Sequence, residues 1–180
     1  MGRAAIRSAA TAYLTAANIP SVGNVFSARP TIIDEEDYEV SISGSMLNYI
    51  VTENGSGSVL IVNLPNSDRT RETLTGYGGF VDDINKHEIV LELILANTDG
   101  DAVAAQDDHD AACDAITTAI RADPTMGTAG NPQAIFGTAV FERGVQVEQS
   151  MPFSGADGMT VFILGVIRFE AWEWTSGIGV

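Results

Sequence analysis

The chain contains one cysteine, Cys113, one lysine, Lys86, and two histidines, His87 and His109. Each scarcity closes off a chemistry. A lone cysteine forms no intramolecular disulfide and leaves a zinc site short of ligands, so nothing requires an oxidising compartment. Nine bases against 24 acids give a formal net charge of −15, which argues against the clustered cations that phosphate-backbone binding needs. No run of eighteen apolar residues occurs, so no membrane helix is expected. The alanine-rich stretch from Ala4 to Ala17 is broken by Arg7, Ser8, Thr11 and Thr15 and lacks the continuous apolar core of an export signal. Folding in a cytoplasm is the expectation. Internal repeats, low-complexity tracts and interdomain linkers are also lacking.

What is present is the composition of a folded protein. Hydrophobic residues make up 45% of 180 residues and charged residues 18%, enough to build one core in a single domain spanning 1–180. Arg3 to Asn18 places Ile6, Ala10, Tyr13, Leu14 and Ala17 on one stripe, a short helix ended by Pro20. Val25-Phe26 and Tyr38 to Ser43 have strand character. Asn48 to Thr52 and Ser58 to Asn63 flank an Asn54-Gly55 pair, which predicts a hairpin. Pro65 to Asp82 is polar and glycine-rich and reads as a long loop or arm.

Glu88 to Asn97 is too densely apolar for a half-exposed strand and predicts an interior one. Asp101 stands where a helix N-cap belongs, and Ala102 to Arg121 follows with no Gly or Pro. On that helix Ala105, His109, Ala112, Ile116, Ala119 and Ile120 form an apolar stripe, with Asp107, Asp108, Asp110 and Asp114 mostly off it. Ile135 to Phe141 and Met159 to Trp174 read as strands, separated by a second arm from Glu142 to Gly158. The fold class is therefore α+β: a mainly antiparallel sheet covered by two helices, with protruding hairpin or loop arms.

Reactive constellations are few. Asp99, Asp101, Asp107, Asp108, His109 and Asp110 are dense in oxygen, yet Ala102 to Ala105 stands where a calcium loop needs further ligands and a turn glycine. Capping and solvated acids fit better. His109 and Cys113, four residues apart, make only two zinc ligands and read as packing residues. Neither histidine adjoins a nucleophile elbow, and Gly76 to Gly79 lacks the lysine of a phosphate loop. No catalytic, cofactor-binding or metal residue is assigned. Trp172 and Trp174 share one strand face, either as anchors for a neighbouring subunit or as residues closing the core.

In outline the chain resembles the tail terminator, or tail-completion, proteins of long-tailed bacteriophages. The resemblance lies in the N-terminal helix ending near Asn18-Ile19-Pro20, the strand before the acidic helix around Asp107 to Ile116, the turn from Ile120 to Pro124, and the closing aromatic and acidic strand. Gly44 to Gly79 is insertion-like. The resemblance implies a structural protein with no covalent chemistry: a homo-hexameric ring in the virion tail or neck, assembled in the host cytoplasm. Such a ring ends growth of the tail tube and offers a surface to the head-tail connector or head-completion protein. Its partners are the tail tube protein and that connector, and DNA passes the acidic lumen without specific binding. The two polar arms are then expected to reach neighbours, being mobile in the monomer and ordered in the ring. Their contact candidates are Asn66, Asp68, Arg69, Arg71 and Tyr77 on one arm and Val145, Val147, Met151 and Phe153 on the other. Trp172 and Trp174 are expected at the subunit seam. Two alternatives stay open: another neck or tail-tube ring protein, and a small acidic calcium-binding module or enzyme.

Overall fold

A computed structural model describes residues 3–28, 55–73, 81–128, 135–137, 144–155 and 158–176, the side chains of 68–73, 81–84, 135–137 and 174–176 excepted. Its elements in chain order are α1 (Arg3–Ala16), β1 (Val22–Phe26), β2 (Ser56–Asn63), β3 (Ser67–Thr73), β4 (Val81–Asn97), α2 (Ala102–Ala122), β5 (Ile135–Gly137), β6 (Gln146–Gln149), β7 (Phe153–Ser154) and β8 (Val161–Ser176). The strands form one sheet in the order β1-β2-β4-β8-β5, with β3 added beside β4 and β6 and β7 beside β8. Among the described pairings only β1–β2 is parallel. The fold is the α+β arrangement expected, with both helices packed against the sheet.

The axis of the molecule is the β4–β8 ladder, paired from Asp82↔Ser176 to Asn97↔Val161. At about 3.3 Å per residue, the 17 residues of β4 span roughly 55 Å. Side chains alternate across it. Ile89, Leu91 and Leu93 of β4 and Ile167, Phe169 and Ala171 of β8 point to the helix side, where they bury Ile6, Ala10 and Leu14 of α1 and Ala112, Ile116 and Ile120 of α2. Leu95 and Ile163 continue that side against Ala105. The other side carries a smaller buried cluster of Val59, Ile61, Ile94, Ala96 and Phe162. This two-sided burial explains why Glu88 to Asn97 reads as a nearly unbroken apolar run.

The helices are held by local chemistry. Asp101 Oδ1 accepts the amides of Val103 and Ala104, capping the start of α2. At its end the Asp123 carboxylate accepts the amides of Thr125 and Gly127 and the Thr125 hydroxyl. The Thr125 bond above all holds that carboxyl below its ordinary range. Tyr13 donates to Ala119 O at 2.6 Å, tying α1 to α2. Burial raises the Tyr13 phenol, helped by the nearby Asp123 charge.

Two expectations change. Pro65 to Asp82 is not simply a loop, because Ser67–Thr73 forms a strand paired with β4 from Ser67↔His87 to Thr73↔Val81. Backbone pairing, not apolar alternation, holds this polar edge. The second strand of the expected hairpin is present as β2, but its described partners are β1 and β4. The arm at 48–52, the strand at 38–43 and the loop at 76–79 lie outside the described residues.

His109 and Cys113 are core residues, as the stripe implies. His109 is fully buried, its Nε2 against Gly165, and Cys113 Sγ lies 3.8 Å from His109 Nδ1. Burial, with Asp110 and Asp114 nearby, pushes the thiol up to about 11. A protonated buried thiol is neither a ready nucleophile nor a ready metal ligand. Burial also holds the His109 imidazole below its usual range, with Asp110 pulling the other way. His87 shifts in the same direction, through burial and then the Arg3 charge.

The sign of the resulting pH dependence follows. An unfolded histidine takes up its proton near pH 6.5 (about the free value), whereas both folded rings resist it. Stability should be complete above about pH 7 and decline as pH falls below about 6.5, before the carboxylates titrate. Urea unfolding between about pH 5 and 8 measures this, and His109→Gln should flatten part of the slope. A stability that rises on acidification through this window would contradict the neutral assignment.

Candidate interaction surface

The face of the sheet opposite α1 and α2 is where surface chemistry collects among the described residues. Even-numbered residues of β4 (Lys86, Glu88, Val90, Glu92) and β8 (Leu164, Val166, Arg168, Glu170) line it through the register that pairs Lys86 with Trp172 and Val90 with Arg168. Two adjoining depressions lie there, of about 650 and 670 Å³, sharing Pro65 and Arg168 in their walls. They form one trough. Gly144 and Gln146 wall one side, and Pro65, Asn66 and Ser67 the other, with Arg3 reaching in from α1.

Charges in the trough are partly internally matched. Glu88 accepts from Asn66 Nδ2 at 2.7 Å and faces Arg168 at 3.7 Å, and Glu92 accepts from Asn63 at 2.9 Å. Arg3 donates to the carbonyls of Leu64 and Pro65, in the connection between β2 and β3. Lys86 Nζ stands 4.3 Å from the centroid of the Trp172 ring, a cation–π contact.

A buried polar line runs on the helix side of the same strands. Ser67 Oγ lies 2.8 Å from His87 Nδ1, His87 Nε2 lies 3.4 Å from Glu173 Oε2, and Asn85 Nδ2 donates to that same oxygen at 3.1 Å. A neutral ring protonated at Nε2 fits both contacts: Ser67 donates to Nδ1, and Nε2–H donates to the carboxylate. The order serine, histidine, glutamate is that of a nucleophile relay. The sequence reading missed it because the partners are 20 and 86 residues apart. The signal that could have found it is register, since His87 and Glu173 occupy the helix-facing parity of paired strands. We assign it a structural role, since a fully buried carboxylate requires such partners.

The predicted contact residues are distributed as follows. Asn66 is exposed at the trough wall. Asp68, Arg69 and Arg71 sit in β3, their side chains outside the described residues, as is Tyr77 altogether. The Glu142 to Gly158 arm is partly sheet, since β6 pairs with β8 from Gln146↔Arg168 to Gln149↔Gly165 and β7 pairs Phe153 with Phe162. Val145 packs against the helix-side core. Val147, Met151 and Phe153 are exposed, Met151 at 87%. Phe153 stacks on Phe162 with centroids 5.7 Å apart, and Ser150 N donates to Leu164 O, so Met151, Phe153 and the 42%-exposed Leu164 gather along one edge. Trp172 is half-buried under Lys86, and Trp174 pairs with Ile84 in the β4–β8 ladder, its side chain outside the described residues.

Asp99 and Asp101 are occupied by turn and cap geometry. The Asn97 side chain accepts both their amides, and Asp101 caps α2. Among the described residues no group of three or more potential metal ligands converges, and no helix is long and apolar enough to cross a membrane. The chain matches no model of a known protein family and no curated protein sequence.

Proposed function

We propose that the chain is a ring-forming structural protein of a phage tail, a tail terminator that caps the tube and presents a surface to the head connector. The observation that carries this reading is the apolar edge of Met151, Phe153 and Leu164, left exposed beside β8 while the helix-side core is built without them. Contiguous exposed apolar groups rimmed by polar ones mark protein contact surfaces. The sequence pattern of helix, strand, acidic helix and long closing strand supports the same reading. In it the chain's acidity keeps DNA sliding, and the reactive groups Cys113 and His109 serve packing alone. Another neck or tube ring protein differs in one behaviour, since a tube protein polymerises whereas a terminator stops at a ring.

Light scattering and electron microscopy of the purified protein test this, with closed sixfold rings that bind the end of a tail tube as the expected result. Met151→Ser should leave melting within a few degrees of wild type, because that side chain is 87% exposed, yet reduce tube capping at least about tenfold. The substitution is preferable to shortening the arm, which would strip β6 from the edge of β8 and confound folding with contact. A protein that stays monomeric at high concentration and ignores tube ends would overturn the reading.

A further inference from the structure

Four of the nine bases in this acidic chain, Arg3, Arg7, Lys86 and Arg168, line the trough on the sheet face opposite α1 and α2, together with three acids, Glu88, Glu92 and Glu170. Glu88 and Glu92 are already held by asparagines and Arg168. The trough also has an apolar end, where Leu164 is 42% exposed beside Val90 and Ile94.

On the opposite side of the molecule the outer face of α2 presents exposed Asp107, Asp110 and Asp114, spaced i, i+3 and i+7 along one face. Resting on the proposed ring assembly, we infer that this acidic face of one copy docks in the trough of the next. The stripe and the trough lie on opposite sides of one sheet, so the contact joins different patches on the two copies. Such a heterologous contact repeats around a closed ring, whereas a twofold dimer would need one patch to meet itself. Charge also favours this direction, because a stripe meeting a stripe is repelled whereas the trough offers Arg and Lys side chains.

Charge reversal tests the contact in the full-length protein. Lys86→Glu and Asp114→Lys should each weaken self-association at least about tenfold, and the pair together should restore it to within about threefold of wild type, read by native mass spectrometry across concentration. Raising salt should weaken the wild-type assembly. Because Lys86 packs on Trp172, thermal melts accompany each variant, and a second measurement does not depend on that residue. Gln146→Cys, in the trough wall, mixed with Asp110→Cys should cross-link between copies under mild oxidation, while buried Cys113 stays unreactive. Rings that persist with neither charge dependence nor this cross-link overturn the docking while leaving the ring reading intact. A wild-type protein that never self-associates removes both.

Discussion

Replacing His87 with alanine is expected to lower stability by about 3 kcal/mol, whereas Glu173→Gln should cost less than about 1 kcal/mol. The difference lies in what each change leaves behind. Glu173 is fully buried and His87 nearly so. Removing the imidazole takes away the His87 contact to the carboxylate, the acceptor for Ser67 and the ring's own packing. Glutamine in place of Glu173 keeps an oxygen toward Nε2–H and Asn85 while dropping the charge that burial penalises. For a domain of this length a 3 kcal/mol loss corresponds to roughly 6–12 °C in Tm. Urea unfolding of both variants measures it, and equal costs for the two would mean that the polar line is not what stabilises this end of β4 and β8. A separate labelling experiment bears on catalysis, since a serine-directed phosphonate that labelled Ser67 would contradict the structural role.

The elements that could be read from sequence are those specified by neighbours in the chain. Asp101, the unbroken alanine-rich run after it and Pro124 bound α2 locally, and the structure ends that helix one residue beyond the expected position. The long closing strand and the interior strand also stood out, because burial on both faces demands continuous apolar residues. β3 was not legible. Asn66 to Glu72 offers no apolar alternation and is a strand only because the first half of β4 provides a ladder for it. That half, Val81 to His87, is itself too polar to stand out, so β4 was read as starting seven residues late, at Glu88.

The candidate surface was legible in part for the same reason. Exposed Met151 and Phe153 follow from a polar, glycine-bounded arm that has no apolar face to bury. The trough does not, because Lys86, Arg168 and Arg3 come together only once β4, β8 and α1 are placed in register. Chain separation hides such a site, and the low count of bases makes their convergence informative only after the fold is known.

Gly165→Ala is expected to destabilise the domain by about 2–3 kcal/mol although it adds a single methyl group. A Cβ at this position would stand 2.4 Å from His109 Nε2 and 3.0 Å from Cε1, with Leu93 Cβ at 3.5 Å on the third side. The imidazole cannot swing away cheaply. His109 sits in the middle of α2, fully buried between the helix and β8, and Gly165 is pinned by pairing to Leu93 on one edge and Gln149 on the other. Relief therefore requires the helix to lift from the sheet, which loosens the packing of Ile116 and Ile120 along the same stripe. His109→Ala removes the obstacle and opens a cavity at its own cost, so Gly165→Ala should become nearly neutral in that background. The coupling between the two substitutions should be about 2 kcal/mol, well above the few tenths expected for independent sites. Denaturant unfolding of the two single variants and the double variant measures it. If the added methyl costs the same whether or not the ring is present, Gly165 serves the backbone of β8 and not the close approach of α2.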